Sequence, residues 1–330
     1  MKNLLTIQNL NVSIHHDDEW ITPIHDVNFT IGYQQTVGLV GESGSGKSLT
    51  ARAILKLLSR RSTKIQAGKM QLGNIDLLAA GKKLMQKVLG SQVGFVMQDC
   101  QGCLNPTMKI ADQITESILA HKIVSSKQAA ITEAKRLLDL VEINNSLSVL
   151  NSYPFELSGG MKQRIAIATA VATKPKLLIA DEPTSALDME SQEATLELIQ
   201  TIQNEFLMSV LLITHDLNLA KNFCDKIVVM YAGRTIETLE KQDYLFPFHP
   251  YTKHLLHSKP TIHTPKHQPL FCLEKDLNIT DSKRGCPFAS RCPQAMNICS
   301  KFIPEEIEMQ TNHHVSCFLC MNRTLEEVTC

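Results

Sequence analysis

The chain has 330 residues, of which 43% are hydrophobic and 20% are charged, as is ordinary for a soluble globular protein. Its 33 basic and 33 acidic side chains cancel at pH 7, so the overall charge does not favour nucleic acid or an anionic membrane surface as a partner. Residues 1–9 lack the apolar core of a signal peptide, and no apolar run is long enough to span a bilayer. We therefore expect a cytosolic chain whose ten cysteines do not form a disulfide framework.

The N-terminal part of the chain has the pattern of β-structure. Apolar and polar residues alternate over residues 4–14 and 27–31, which predicts two half-buried strands, and the polar stretch 15–19 predicts a turn. Residues 37–40 are apolar and predict a third strand, while residues 49–58 form an amphipathic segment typical of a helix. Residues 41–48 are therefore expected to connect a strand to a helix.

Residues 41–48 match the phosphate-binding pattern G-x-x-x-x-G-K-[ST]. The backbone N–H groups of such a loop, together with the positive end of the following helix, can hold a polyphosphate. Lys47 would neutralise the β- and γ-phosphates, and the hydroxyl of Ser48 would bind Mg²⁺. The motif predicts a nucleotide site formed by Gly41, Glu42, Ser43, Gly44, Ser45, Gly46, Lys47 and Ser48.

The middle of the chain alternates between strand and helix patterns. Residues 92–97 predict a strand, and the apolar period lengthens to that of a helix over residues 110–141. Ser158 is a suitable N-cap for a helix that stops near residues 174–175. Two short apolar runs, residues 177–180 and 210–213, predict central strands of a parallel sheet that are buried on both faces.

Polar side chains stand at the ends of these strands, where ligands bind in doubly wound folds. Asp181 could hold Mg²⁺ through water, and Glu182 could polarise the water that attacks the γ-phosphate. His215 could donate a hydrogen bond to the γ-phosphate, and Gln98 could bind Mg²⁺ or orient water. Taken alone, each of these residues is more typical of a solvated turn, and only the phosphate loop favours the catalytic interpretation.

In order and spacing these motifs resemble those of the ATP-binding cassette ATPases. The most specific of them is the stretch LSGGMKQR at residues 157–164. The resemblance covers about residues 1–260 and implies an α/β P-loop NTPase fold with a mostly parallel central sheet, an N-terminal antiparallel β subdomain and a helical subdomain. It also implies a head-to-tail dimer with a D-loop at Asp188, in which the partner's ATP is contacted by Ser158, Gly159 and Gly160.

Within that family, the chain resembles the ATP-binding subunits of dipeptide and oligopeptide importers. The stretches that carry this resemblance are residues 42–45, 97–99, 104–106 and 249–252. It implies an ATPase domain over residues 1–258, with its helical subdomain at about 100–172, and a small cysteine-containing extension over residues 259–330. The implied activity is Mg²⁺-dependent ATP hydrolysis coupled to uptake of short peptides.

The resemblance also implies an assembly at the cytoplasmic face of the inner membrane, where the chain would be a peripheral subunit. The expected partners are two integral membrane permeases and a second ATPase subunit, with a heterodimer favoured over a homodimer. A substrate-binding protein would act with them indirectly. Nickel chelates, opines and antimicrobial peptides are alternative cargoes, and a soluble cassette ATPase without permeases is a further alternative.

The extension contains a run of cysteines similar to the family's cysteine motif. From the residues alone, the spacing C-x5-C-x6-C-x17-C leaves zinc, an iron–sulfur cluster and free thiols open. The resemblance implies a [4Fe–4S] cluster, and the residues that match its ligands are Cys286, Cys292, Cys299 and Cys317. Cys320 is an alternative fourth ligand.

Many relatives have an aromatic residue that stacks on adenine, and at the corresponding position this chain has Ile14. Trp20 or a nearby histidine could take over that stacking contact.

Overall fold

The structure is a computed structural model that describes residues 2–99, 102–185, 187–257 and 285–321. The chain divides into two compact units. The first comprises Met1–Leu4, Ile31–Thr36 and Ala79–Ile213, and the second comprises Leu5–Thr30, Val37–Leu78 and Thr214–Cys330. The predicted start of the helical subdomain at residue 100 and the predicted boundary at 258/259 lie outside the described residues, so that domain division stays a prediction.

Thirteen strands and nine helices are formed by the described residues. The strands are β1 (Asn3–His16), β2 (Glu19–Gly32), β3 (Thr36–Val40), β4 (Thr63–Gln66), β5 (Lys69–Leu72), β6 (Ile75–Asp76), β7 (Val93–Val96), β8 (Leu177–Asp181), β9 (Ser209–Thr214), β10 (Lys226–Tyr231), β11 (Arg234–Glu240), β12 (Ile307–Gln310) and β13 (His313–Val315). The helices are α1 (Lys47–Ile54), α2 (Lys82–Ser91), α3 (Ile110–Ala120), α4 (Lys127–Leu140), α5 (Ser146–Asn151), α6 (Gly159–Val171), α7 (Met189–Phe206), α8 (Leu217–Phe223) and α9 (Pro250–His257). Within the described residues, no helix is both long and apolar enough to cross a membrane.

The first unit contains a parallel sheet in which β8 lies between β7 and β9. All residues of β8 and β9 are buried, which matches the prediction that their apolar runs form central strands covered on both faces. Because the strands run parallel, their carboxyl ends meet at one edge of the sheet. Gln98 follows β7 closely, Asp181 ends β8, and Glu182 follows directly.

The segment predicted as helical over residues 110–141 forms two helices of the first unit, α3 and α4. The buried residues of α3 include Ile110, Ile114 and Ile118, at the three- and four-residue spacing that places side chains on one helix face. The second helix starts at Ser126, whose hydroxyl accepts a hydrogen bond from the N–H of Ala129 at 3.2 Å. Its buried residues are Ala130, Ala134, Leu137 and Leu138. Both helices contact α5 and α6.

An antiparallel sheet in the second unit has the strand order β2-β1-β5-β6, and β4 also pairs with β1. The first two strands are joined at Asp17 and Asp18, which have φ angles of 47° and 64°. Two consecutive residues with positive φ are typical of the tight turns that join antiparallel strands. The expected N-terminal antiparallel subdomain is therefore present.

A second sheet of this unit carries the phosphate loop and has the strand order β12-β13-β11-β10-β3. Strand β3 runs parallel to β10 and is buried throughout, whereas β11, β13 and β12 continue the sheet antiparallel to one another. The strands β12 and β13 belong to the C-terminal extension. The extension therefore shares a sheet with the strand that leads into residues 41–48, a connection that the sequence did not predict.

Candidate functional site

The phosphate loop of the second unit is folded around the side chain of Lys47, which is 4% exposed. The Nζ atom of Lys47 donates hydrogen bonds to the carbonyl oxygens of Gly41 at 2.8 Å and Glu42 at 2.9 Å. Ser45 is fully buried, and its N–H donates to the carbonyl of Glu42 at 3.1 Å. Ser48 lies in the first turn of α1, as expected from the motif. The loop therefore forms a closed turn at a helix N-terminus, the arrangement that binds phosphate.

Two glycines of this loop are required for different reasons. Gly46 is the residue before α1 and has φ 101°, a conformation that L side chains rarely adopt. Gly41 has an ordinary backbone, but a Cβ atom there would lie 2.2 Å from the carbonyl oxygen of Met230. A larger residue at either position would displace the loop.

Glu42, the second residue of the loop, is anchored to distant parts of the second unit. Its backbone N–H donates to the hydroxyl of Tyr251 at 2.8 Å. Its carboxylate accepts two hydrogen bonds from Arg291, at 2.7 Å from Nη1 and 3.2 Å from Nη2. Nη1 of Arg291 also donates to the hydroxyl of Tyr231 at 3.2 Å. Burial disfavours the charged guanidinium, but the hydrogen bonds to Glu42 and Tyr231 outweigh it and raise the pKa of Arg291.

Three buried aromatic rings hold the extension beside the loop. Phe288 of the cysteine motif packs edge to face on Tyr231, at the end of β10, and on Tyr251 in α9, with ring centroids 5.2 Å and 5.4 Å away. The two tyrosines contact each other at 4.7 Å. All three rings are at most 2% exposed. Such edge-to-face contacts add to the stabilisation from apolar burial, so the cysteine motif has a fixed position relative to residues 41–48.

The first unit brings together two of the predicted hydrolysis residues. Nε2 of Gln98 donates a hydrogen bond to the carboxylate of Glu182 at 3.2 Å. Glu182 has a left-handed backbone with φ 47°, and its N–H donates to the carbonyl of Ile213 at 2.9 Å. Non-glycine residues in this conformation are uncommon and occur often at functional sites. Asp181, the last residue of β8, is 1% exposed.

The residues expected to contact the partner's ATP, Ser158, Gly159 and Gly160, are called the signature residues here, and they lie at the N-terminus of α6 in the first unit. Ser158 is the N-cap, and its hydroxyl accepts from the N–H of Met161 at 3.3 Å, as the sequence predicted. Both Ser158 and Gly160 are exposed. The side chain of Gln163, further along the helix, donates to the carbonyl of Pro183, directly after Glu182. Gln163 therefore connects the signature helix to the hydrolysis segment, a role that its sequence position alone did not reveal.

Two further predicted residues lie at helix starts. Asp188 is the N-cap of α7, where its carboxylate accepts from the N–H and the hydroxyl of Ser191 at 3.0 Å and 2.9 Å. These hydrogen bonds lower the pKa of Asp188. His215 is exposed and directly follows β9, at the start of the second unit's last segment.

The four predicted cysteine ligands gather in one region of the second unit. The N–H of Cys286 donates to the carbonyl of Cys299 at 2.8 Å, and Cys299 and Cys317 are each 8% exposed. Burial raises the pKa of Cys286 to about 12, with smaller contributions from the neighbouring thiols of Cys299, Cys317 and Cys292. Thiols suit iron or zinc chemically. However, no three or more histidine, cysteine or acidic residues among those described are arranged to hold a metal ion.

Cys320 contacts the predicted fourth ligand. A hydrogen bond between the two thiols lowers the pKa of Cys317 to about 7 and raises that of Cys320. Both residues are buried, and with Val315 they form a small apolar cluster. Cys320, the alternative fourth ligand, therefore lies in contact with Cys317.

The aromatic residue considered as a substitute for Ile14 has neighbours of its own. Trp20 is 42% exposed, and its ring contacts His15 edge to face at 5.2 Å. Nζ of Lys64 lies 3.9 Å from the centre of the same ring, within the range of a cation–π contact.

Comparison with known proteins identifies the family. The ABC transporter family profile matches residues 24–185, and the profile of the oligopeptide/dipeptide transporter C-terminal region matches residues 236–299. The dipeptide transport ATP-binding protein DppD of Bacillus subtilis is 39% identical over 322 residues, covering 97% of this chain and 95% of that protein. The oligopeptide transport ATP-binding protein OppD of Salmonella typhimurium is 38% identical over 304 residues, covering 92% of this chain and 90% of that protein.

Solved structures agree with the fold expected from the sequence. A dimeric bacterial ABC transporter cassette superposes with a TM-score of 0.64 at 27% identity, covering 72% of this chain and 98% of that chain. A dimeric post-hydrolysis state of that cassette bound to ADP and Pi gives the same values. The α/β cassette fold of a P-loop NTPase is therefore confirmed, and the chain belongs to the ATP-binding cassette family, among the ATP-binding proteins of dipeptide and oligopeptide transport.

Proposed function

We propose that this protein is the Mg²⁺-dependent ATPase subunit of an importer for dipeptides or short oligopeptides. In this proposal the phosphate loop binds the β- and γ-phosphates, with Lys47 neutralising their charge. The observation that carries the proposal is the hydrogen bond from Gln98 to Glu182 at the carboxyl edge of a buried parallel sheet. It holds an ionisable carboxylate in one orientation, as a group that polarises an attacking water must be held.

Magnesium would be bound by Ser48, Gln98 and Asp181, and it would neutralise charge that develops on the phosphates. Glu182 accepts a proton from the attacking water, and His215 donates a hydrogen bond to the γ-phosphate. The test is ATP hydrolysis by Glu182→Gln, which should bind MgATP with the parent's affinity and hydrolyse it at least ~100-fold more slowly. Parent-like hydrolysis by this variant would remove Glu182 from its role.

We infer further that the site is completed by another ATPase subunit. Ser158, Gly159 and Gly160 would contact the γ-phosphate bound by that subunit, using a hydroxyl and the N-terminus of α6. Support comes from Gly160: a Cβ atom added there would lie more than 4 Å from every other described atom that could crowd it. Nothing in the described part of this chain therefore requires glycine at this exposed helical position, although glycine costs helix stability. A dimer that forms only with ATP, measured by light scattering of Glu182→Gln, would support this inference.

The remaining partners follow from the same proposal. Two integral membrane permeases would hold the ATPase at the cytoplasmic face of the inner membrane, with a sister ATPase beside it and a substrate-binding protein acting indirectly. Copurification from native membranes tests the assembly, and ATP-dependent uptake of a labelled dipeptide by membrane vesicles tests the cargo. Purification without any membrane subunit would contradict the importer.

A [4Fe–4S] cluster on Cys286, Cys292, Cys299 and Cys317 is proposed on the family resemblance alone. Protein purified anaerobically should then be brown, with broad absorption near ~400 nm from thiolate-ligated iron. Colourless protein with stoichiometric zinc, or with no metal and four titratable thiols at these positions, would reject the cluster.

A further inference from the structure

The guanidinium of Arg291 makes a charged contact to the phosphate loop at Glu42. Its side chain is 7% exposed and that of Glu42 is 28% exposed, so both charges are partly shielded from water. Nε of Arg291 is buried with no hydrogen-bond partner among the described residues. The charge of Arg291 is therefore compensated at one edge of the guanidinium, by Glu42 and the hydroxyl of Tyr231.

Glu42 brings a negative charge into a loop that binds a polyanion. An uncompensated carboxylate there would oppose phosphate binding, because like charges repel most strongly where water is scarce. The two-point contact from Arg291 cancels this charge, and a planar guanidinium also fixes the carboxylate's orientation.

The same residue forms the first corner of the loop. The N–H of Glu42 donates to Tyr251, and its carbonyl accepts from Lys47 and Ser45. Every polar group of Glu42, including its carboxylate, therefore has a hydrogen-bond partner. Three of these hydrogen bonds come from outside residues 41–48, two from Arg291 and one from Tyr251.

We propose that Arg291 is a positioning residue of the nucleotide site, through which the C-terminal extension sets the affinity of the phosphate loop for ATP. Arg291 neutralises the carboxylate of Glu42, so that this charge does not repel the phosphates that the loop binds. This inference rests on the proposed ATP-binding function. It makes the cysteine motif, in which Arg291 directly precedes Cys292, part of the nucleotide-binding machinery.

The test is a double-mutant cycle on the dissociation constant of MgATP, measured by titration calorimetry on the full chain. Arg291→Ala leaves the carboxylate uncompensated and should weaken binding about tenfold. Glu42→Gln removes the negative charge, and the Arg291→Ala/Glu42→Gln double variant should bind MgATP like Glu42→Gln alone, more tightly than Arg291→Ala. If Arg291 had a purely structural role, adding Glu42→Gln to Arg291→Ala would not restore the affinity for MgATP.

Lys301→Ala is the matched control, because Lys301 is an exposed basic residue of the same extension. This variant should bind MgATP with the parent's affinity. Should Arg291→Ala not fold, Arg291→Gln takes its place, since it keeps a long polar side chain but removes the positive charge. The expected weakening is again about tenfold, and Glu42→Gln should restore the affinity.

Two results would overturn the inference: parent-like affinity of the Arg291 variant, or a double variant that binds as weakly as Arg291→Ala alone. Lys47→Ala, measured alongside, separates this failure from failure of the proposed function. If Lys47→Ala loses ATP binding while the Arg291 variant does not, only the role of Arg291 is wrong. If Lys47→Ala also binds normally, the proposed ATP site is wrong, and the inference falls with it.

Discussion

Arg291 of the cysteine motif and Glu42 of the phosphate loop, 249 positions apart in the chain, form a two-point ion pair at 2.7 Å and 3.2 Å. The pair is flanked by the aromatic rings of Tyr231, Tyr251 and Phe288. In this protein the extension is therefore packed against the loop at the level of side chains. Its contribution to folding and to the nucleotide site can be measured separately.

Phe288→Ala should lower the free energy of unfolding by about 3–5 kcal/mol, because it leaves a cavity between the two tyrosine rings. Urea denaturation followed by circular dichroism measures this change. Phe302→Ala is the matched control, since Phe302 belongs to the same extension and is 60% exposed. That control should change the free energy of unfolding by no more than ~0.5 kcal/mol. Equal effects of the two substitutions would show that the aromatic cluster does not anchor the extension.

The stability of the protein should fall between about pH 6.5 and pH 4 because of His249. Burial lowers the pKa of His249 from 6.5 to about 4, although Glu237 opposes that shift. Between these values the unfolded chain binds a proton that the folded chain does not, so stability decreases as the pH falls and is constant above the window. The slope contributed by this residue is up to ~1 kcal/mol per pH unit.

His249→Asn should reduce that slope, because asparagine keeps an acceptor for the N–H of Tyr251, which bonds to Nδ1 at 3.0 Å, and does not titrate. Thermal unfolding midpoints at several pH values measure the difference from the parent. A parent-like slope in His249→Asn would mean that the buried imidazole is not the source of the pH dependence.

Local pattern was sufficient to predict the elements that carry the site. The strand before Gly41, the N-cap at Ser158 and the apolar run that ends at Asp181 were all predicted, because each depends on residues adjacent in sequence. The helical period over residues 110–141 likewise predicted that α3 and α4 are helical.

Contacts between distant segments were not predictable in the same way. The pairing of β13 with β11, the bond from Gln163 to Pro183 and the approach of Arg291 to Glu42 depend on how separate elements pack. Nor does any local pattern indicate the left-handed backbone of Glu182, since glutamate has no preference for that conformation. The cysteine spacing left zinc, an iron–sulfur cluster and free thiols open, and it did not indicate the contact between Cys317 and Cys320.

Gly160→Ala should stabilise the folded protein while lowering its ATPase activity. Alanine is the better helix former by up to ~1 kcal/mol, and its Cβ atom would meet no described atom within 4 Å. In the completed two-subunit site, however, that methyl group would point at the partner's nucleotide and hinder its approach. Urea denaturation and steady-state ATPase assays measure the two effects.

Gly81→Ala provides the matched control, because Gly81 also has open space for a Cβ atom but lies before α2 rather than in the signature. It should leave the ATPase rate unchanged. If Gly160→Ala were stabilised and hydrolysed ATP at the parent's rate, the signature residues would not take part in a shared site.

The role of Glu182 in polarising the water that attacks ATP is tested most directly by single-turnover hydrolysis of MgATP by Glu182→Gln. Glu190→Gln, at an exposed position at the start of α7, is measured beside it. We expect Glu182→Gln to hydrolyse MgATP at least ~100-fold more slowly than the parent with unchanged MgATP affinity, and Glu190→Gln to hydrolyse it like the parent. Hydrolysis by Glu182→Gln at the parent's rate, with ATP bound equally well, would contradict this role of Glu182.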